Sequence, residues 1–280
     1  MNLQQKTAEL RRILAGMESL LIGYSGGIDS TLVARVAHET LGERMLAVIG
    51  DSESLLRSEL EEAVALVEQE GIPYRVIHPR ELDNPNYSSN PSNRCFFCKD
   101  ELFTLLKDLA SKEDFRFIAD GANTDDAGDH RPGLQAAAEH QVRHPLQEAN
   151  FAKDDVRALA RELGLSNWDK PAMACLASRF PYGTEISQEK LAMVAEAEET
   201  LKSLGFRNCR VRHHESGKDV IARLELSEHD FERILDSKTR AEIDSSLRKA
   251  GYQFIALDLQ EFRSGRLNDS LKDRLVQLET

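Results

Sequence analysis

Residues 19–30 read SLLIGYSGGIDS, and that string leaves the chain little freedom of fold. An apolar run too short for a helix ends in two adjacent glycines. TLVARVAHETLG (31–42) then follows with helical spacing and a glycine stop. A strand without polar alternation is buried on both faces, which calls for parallel neighbours covered by helices. The chain supplies the candidates: MLAVIG (45–50), PYRVIHP (73–79) and FRFIADG (115–121) read as further strands. Residues 3–15, 52–71, 98–112, 133–140 and 152–164 read as helices around them. The alternation predicts an α/β fold on a parallel sheet, with ligands at the carboxyl ends of its strands.

SNWDKPAMACLASRFPYGTEIS (166–187) breaks that rhythm, with two prolines, a glycine and no clean period. It reads as a functional linker or long loop. Beyond it come a helix (188–204), two strands (207–213 and 219–226), a helical stretch (228–249) and a last strand (252–257), a smaller α/β unit. The expected division is a first domain over 1–170, a linker over 171–186 and a second domain over 187–280.

Composition excludes some function classes. No apolar run reaches the roughly 20 residues that span a bilayer, and the first 27 residues lack a signal-peptide pattern. Four cysteines in 280 residues, two of them in a CxxC, read as metal-binding or catalytic in a cytoplasmic protein rather than as a disulfide scaffold. A net charge of −12 argues against nucleic acid as partner.

The glycine loop has the chemistry of a phosphate cradle. Gly26 and Gly27 let backbone N–H groups approach an anion, and the positive end of the next helix adds to the attraction. Ser25, Ser30 and Thr31 offer hydroxyls, and Asp29 can hold a Mg²⁺ that bridges phosphates. Asp51 and Gly121, at the ends of the second and fourth strands, and Asp125 complete the expected ATP site. Asp126 can serve as Asp125 does, and Arg131 can meet a phosphate. A Walker A loop would add a lysine at its end, and SGGIDS has none.

Cys95 and Cys98 lie two residues apart at the entrance of a helix. Three chemistries suit them: a redox pair, half of a zinc site, or part of an iron–sulfur ligand set. Cys175 sits in the irregular stretch beside Ser178 and Arg179, and Trp168 just before it can cover that loop or simply pack. Cys209, in a strand-like CRVRHH, reads as a core residue, with His213 and His214 as weak alternatives for a metal. The same alternation puts Arg210 and Arg212 on one face, suited to a phosphate or carboxylate, with Glu225 as a partner.

SGGIDS resembles the SGGxDS signature of the PP-loop ATP pyrophosphatases. The resemblance implies a Rossmann-like nucleotide α-hydrolase fold and cleavage of ATP to AMP and pyrophosphate, with adenylation of an oxygen-bearing carbon. Together with GANTDDAGDHRPG (121–133), KPAMACLASRFPYG (170–183) and EFRSGRLND (261–269), which carries Arg263 and Ser264, the chain is similar to the LarE family over nearly its full length. That family converts the two carboxylates of pyridinium-3,5-biscarboxylic acid mononucleotide into thiocarboxylates, on the route to the nickel-pincer nucleotide cofactor of lactate racemase. The resemblance makes Cys175 the catalytic cysteine, with Arg179 expected to favour its thiolate. It makes Arg210, Arg212 and Glu225 a substrate site. It also implies a branch in which Cys95, Cys98 and Cys175 hold a [4Fe–4S] cluster and a donor replenishes sulfide, rather than one in which the cysteine sacrifices its own sulfur. A homo-oligomer is implied as well. The rival readings are a PP-loop tRNA thiolase with the same cysteine triad and a non-catalytic nucleotide and iron–sulfur sensor.

Overall fold

The computed structural model describes residues 1–128, 132–171, 174–206, 208–263 and 265–266. They form two compact units, one of Met1–Tyr87 with Asn93–Met173, the other of Ser88–Ser92 with Ala174–Thr280.

The first unit runs α1 (Leu3–Ala15), β1 (Leu20–Tyr24), α2 (Ile28–Leu41), β2 (Met45–Gly50), α3 (Arg57–Gln69), β3 (Tyr74–Ile77), α4 (Pro85–Ser88), α5 (Arg94–Glu113), β4 (Phe117–Ala119), α6 (Pro132–Glu139), α7 (Pro145–Glu148) and α8 (Lys153–Glu162). Its four strands are parallel, in the order β3-β2-β1-β4. Alternate residues of each central strand feed opposite faces. Leu20, Ile22, Met45, Ala47 and Ile49 pack under α1, α2 and α8, whereas Leu21 and Val48 pack against Phe103 and Leu106 of α5. Each such side chain larger than alanine contributes about 1.5–3 kcal/mol when fully buried, and both faces being covered explains the unbroken apolar strands.

Strand order fixes where a ligand can sit. From β1 the chain proceeds through β2 to β3 on one side and returns with β4 on the other. The crevice at such a reversal opens at the carboxyl end of β1. The loop 25–27 and the loop that follows β4 flank it. Gly121 must be glycine there, because a Cβ would lie 2.6 Å from the Ser30 nitrogen.

The second unit holds α9 (Gln188–Ser203), β5 (Cys209–Ser216), β6 (Asp219–Leu226), α10 (Phe231–Ile234), α11 (Ser237–Lys249) and β7 (Phe254–Leu257). β5 and β6 are antiparallel, and β7 joins parallel to β6. Cys209, Val211, Ala222 and Leu224 point into a core with Ala197 and Leu201 of α9 and Ile243 and Leu247 of α11. Residues 88–92, which the sequence reading kept in the first domain, belong here: Ser88 O accepts from Ile186 N (2.7 Å), Asn90 O from Gly183 N (2.9 Å), and Asn90 Nδ2 donates to Pro181 O (2.8 Å). No helix among the described residues is long and apolar enough to cross a membrane.

Candidate active site

β1 delivers the loop Ser25–Gly26–Gly27 at the crevice. Gly26 adopts φ +70°, and a Cβ on it would stand 2.7 Å from the Ala63 Cβ of α3, so only glycine lets the loop lie against that helix. Gly27 caps α2 without any side-chain bond to the helix start. The first-turn N–H groups of Ile28, Asp29 and Ser30 have no intrahelical acceptor and are donors for an anion.

The hydroxyls expected to meet phosphate divide in two. Ser25 Oγ, on an exposed residue, lies 3.1 Å from Ser30 Oγ and accepts from Gly27 N. Thr31 is fully buried and braces the loop from beneath: its Oγ1 donates to Gly27 O (2.8 Å) and accepts from Asn167 Nδ2 (3.1 Å). Asn167 also bonds Gly26 O (3.4 Å). Thr31 therefore holds the cradle's shape and is not available as a phosphate ligand.

Asp29 is engaged as well. Its Oδ1 accepts from Asn123 Nδ2 (3.0 Å), and its Oδ2 accepts from Lys153 Nζ (2.5 Å). Asp125 and Asp126 are taken up by the same web: Asp125 Oδ2 accepts from Lys153 N (2.9 Å) and Asp126 Oδ2 from Asn123 N (3.0 Å). Asp51 pairs with Arg57. These carboxylates order loops around the crevice instead of converging as a ready Mg²⁺ site. Beside Gly121, half-buried Asp120 accepts from His144 Nδ1 (2.7 Å). Burial alone would raise Asp120, but the imidazole holds it below the usual carboxylate range; His144 in turn is raised by Asp120 against the opposing effect of burial.

Cys95 and Cys98, with two residues between them, occupy the opening turns of α5 and so share one face. Cys95 is exposed and Cys98 half-buried, a pair that fits two corners of a thiolate-bound metal or cluster. Among the described residues, no group of three or more His, Cys, Asp or Glu side chains gathers for a metal ion. Trp168 packs under the Arg161 guanidinium, 5.2 Å from its ring centre.

In the second unit Cys175 is exposed, just before the turn Leu176–Arg179. Ser178 Oγ donates to Cys175 O (2.7 Å). Arg179 differs from the expectation that its charge serves the Cys175 thiolate. It is 1% exposed, and its Nε and Nη2 donate to Glu198 of α9, both at 2.8 Å. Its Nη1 donates to Ala174 O (2.5 Å) and Cys175 O (2.9 Å). Arg179 is thus a bracket that sets the backbone of the cysteine turn, with its charge matched by Glu198. Burial would push Glu198 up, but the Arg179 hydrogen bonds and charge hold it low.

The same turn is tied to the sheet. Arg212 Nη1 donates to Ser178 O (2.8 Å), and its Nε and Nη2 bond Glu225 Oε2 at 3.0 and 2.7 Å. Strand register sets Arg210 opposite Glu225 and Arg212 opposite Arg223, all on the face away from the core. Arg210 lies over the Phe262 ring at 4.9 Å. Arg223 reaches Glu225 (3.1 Å) and Asp258, and Arg266 reaches Asp258 (2.9 Å). Three guanidinium groups, of Arg212, Arg223 and Arg266, share the two carboxylates of Glu225 and Asp258, with Arg210 beside them, a cation-rich set suited to an anion. The expected Arg210, Arg212 and Glu225 are therefore brought together, and Arg223, Asp258 and Arg266 join them unforeseen.

Cys209 is core: 2% exposed, its Sγ bonding Phe206 O, its thiol pushed up to about 12 by burial. His213 is buried between Phe180 and Tyr252, and burial lowers it; burial and the Arg223 charge lower His214. Neither is placed as a ligand partner. Arg263 is exposed, and Arg131 and Ser264 lie outside the described residues.

Lys153, Asn123, Asn167 and Glu198 were not foreseen. Only proximity in the fold marks them, since each meets its partner across long stretches of chain.

Comparison with known proteins agrees with the cradle. The sequence model of the NAD synthase family matches residues 4–88, which hold the glycine loop. An uncharacterized Synechocystis protein is 42% identical over 95% of this chain and 98% of its own length. The pyridinium-3,5-bisthiocarboxylic acid mononucleotide synthase of Lactiplantibacillus plantarum is 38% identical over 96% of each chain. A glutamine-hydrolyzing GMP synthase of Clostridium perfringens is 27% identical over 70% of this chain and 42% of that one.

Proposed function

The chain belongs to the LarE family, and on that premise we propose that this ATP-dependent sulfurtransferase acts on the two carboxylates of pyridinium-3,5-biscarboxylic acid mononucleotide. The observation that carries the reading is Cys175, exposed on a turn tied through Arg212 to a cation-rich sheet face, in a chain that aligns end to end with a synthase of that name.

The residues divide the work. The N–H groups at the start of α2 and the exposed Ser25 hydroxyl bind the phosphates, while Ser30, 4% exposed with its Oγ donating to Gly27 O (3.1 Å), braces the loop and meets phosphate only if that bond is exchanged. A substrate carboxylate oxygen attacks the α-phosphorus, and pyrophosphate leaves with the electrons of the broken P–O bond. The acyl adenylate then carries AMP as a good leaving group. Arg210, Arg212 and neighbouring guanidinium groups hold the mononucleotide phosphate or its second carboxylate. Ser178 and Arg179 position the turn. The Cys175 thiolate attacks the acyl carbon and expels AMP, giving a thioester. Sulfur stays with the substrate when the Cβ–Sγ bond breaks and the Cys175 α-proton passes to a base. A [4Fe–4S] cluster on Cys95, Cys98 and Cys175, when bound, would supply replaceable sulfide in place of the Cys175 sulfur. The reading carries a sulfide donor, a homo-oligomeric assembly and a cytoplasmic location with it.

Anaerobic assays of pyrophosphate release test it. Release should depend on the dicarboxylate mononucleotide, and dependence on tRNA instead would favour a thiolase. Iron and acid-labile sulfide should be lost from Cys95→Ala and Cys98→Ala along with multiple turnover. If the wild type and both variants all give no more than one sulfur transferred per chain, and Cys175→Ala gives none, the sacrificial route replaces the cluster.

A further inference from the structure

The loop after β4 meets the start of α2 at Gly121, where a Cβ would lie 2.6 Å from Ser30 N and 2.9 Å from the Asp29 carbonyl carbon. A pair of charges stands behind that loop. We propose that His144 and Asp120 act as one positioning unit for the nucleotide site, fixing the turn 121–123 and cancelling a carboxylate charge there, so that affinity for a polyphosphate follows the charge on His144. The inference rests on the ATP-cleaving reading of the glycine loop.

Backbone pairing brings the two side chains level. Arg143 forms a parallel bridge with Ala119 of β4, its N–H donating to Ile118 O (2.8 Å) and its O accepting from Asp120 N (3.1 Å). His144 comes next. Asp120 Oδ1 accepts from both His144 Nδ1 (2.7 Å) and Ala122 N (3.0 Å), so one oxygen ties the imidazole to the backbone of the turn. The turn in turn reaches α2: Asn123 Nδ2 donates to Asp29 Oδ1 (3.0 Å), while Gln147 of α7 donates to Asn123 O (2.9 Å). The Asp120 and His144 side chains are only 13% and 20% exposed, so their charges act through little water.

Charge balance explains why the proton matters. Asp29, Asp120, Asp125 and Asp126 put carboxylates on loops around a site for an anion. Lys153 answers Asp29, and His144 answers Asp120. The other charges acting on His144 are Glu148 of α7, itself paired with Arg143, and Lys99 of α5. Burial lowers the imidazole, but the Asp120 hydrogen bond and charge outweigh it, so His144 stands above the ordinary histidine value. Nδ1 keeps its hydrogen for Asp120, and the proton is gained and lost at Nε2. With that proton the pair is neutral. Without it the pair leaves one negative charge beside the incoming phosphates, and the bond that sets the turn loses the strength the imidazolium gave it.

The test is binding of α,β-methylene-ATP with Mg²⁺ to the full wild-type chain and to His144→Gln, from about pH 6 to about pH 9. Titration of the nucleotide itself is common to both chains and cancels in the comparison. Wild type should bind about 3- to 10-fold tighter than His144→Gln at the acid end, and the two should converge at the alkaline end. Coupling of this kind is reciprocal, so NMR of the wild-type chain should show nucleotide raising the His144 ring pKa by the same factor. Parallel binding curves, or a ring whose titration the nucleotide does not move, overturn the proposal, and the NMR arm decides it if the variant fails to fold. A wild-type chain that binds no nucleotide at any pH overturns the ATP reading itself, whereas tight binding without this pH dependence overturns the role of the pair alone.

Discussion

Glu198→Ala tests how the cysteine turn is held. Arg179 and Glu198 are at most 1% exposed, and the carboxylate accepts from Arg179 Nε and Nη2 and from Val211 N (3.0 Å). Removing it leaves a guanidinium buried without its counter-charge. It also strips the Val211 N–H of its side-chain acceptor. Breaking a buried pair from one side costs about 3–5 kcal/mol, or roughly a thousandfold in the folding equilibrium of the second unit. Glu198→Gln keeps an acceptor for Val211 and for one guanidinium donor, so its loss should be smaller. Urea unfolding followed by a probe in residues 174–263 would read both, together with sulfur transfer. Because Glu198 is held below its ordinary range, its contribution is present above the unfolded carboxylate pKa and is lost as pH falls through the lowered native value. The wild-type advantage over Glu198→Ala should therefore persist at neutral pH and shrink in acid. Nucleotide binding in the first unit should survive. A loss under about 1 kcal/mol with sulfur transfer intact would refute the bracket.

Two further outcomes follow from buried groups. Glu81 is 1% exposed, and burial raises it against the weaker opposing pull of the Ser52 and Ser54 hydroxyls beside it; Glu81→Gln should stabilise the chain by about 1–3 kcal/mol at pH 7 to 8, with the gap closing below the unfolded carboxylate pKa, whereas a pH-independent difference in melting temperature would contradict this. Cys209, with its raised thiol and 2% exposure, should resist thiol reagents in the folded, cluster-free chain while Cys95, Cys98 and Cys175 are modified; mass mapping of early label on Cys209 would overturn its assignment to the core.

The parts legible in the sequence were those encoded locally. SLLIGYSGGIDS specified strand, loop and helix within 12 residues, although α2 begins at Ile28, inside the motif rather than after it. Alternation placed Arg210 and Arg212 on one face because strand period is a local property. α4 and α7, each a single turn opened by a proline, are too short for a helical period to build up in the sequence. Roles set by distant partners were opaque. Arg179 looked like a cation for Cys175 because Glu198 lies on α9, where it reads as one more acid in an amphipathic helix. Thr31 looked like a phosphate ligand because Asn167, 136 residues on, is what claims its hydroxyl.

The most direct measurement is anaerobic mass spectrometry of the mononucleotide after incubation with the chain, Mg·ATP and sulfide. We expect sulfur in place of oxygen at both carboxylates, AMP and pyrophosphate formed with it, and no thiocarboxylate from Cys175→Ser. Unaltered mononucleotide, or thiocarboxylate formed equally well by Cys175→Ser, would contradict the account.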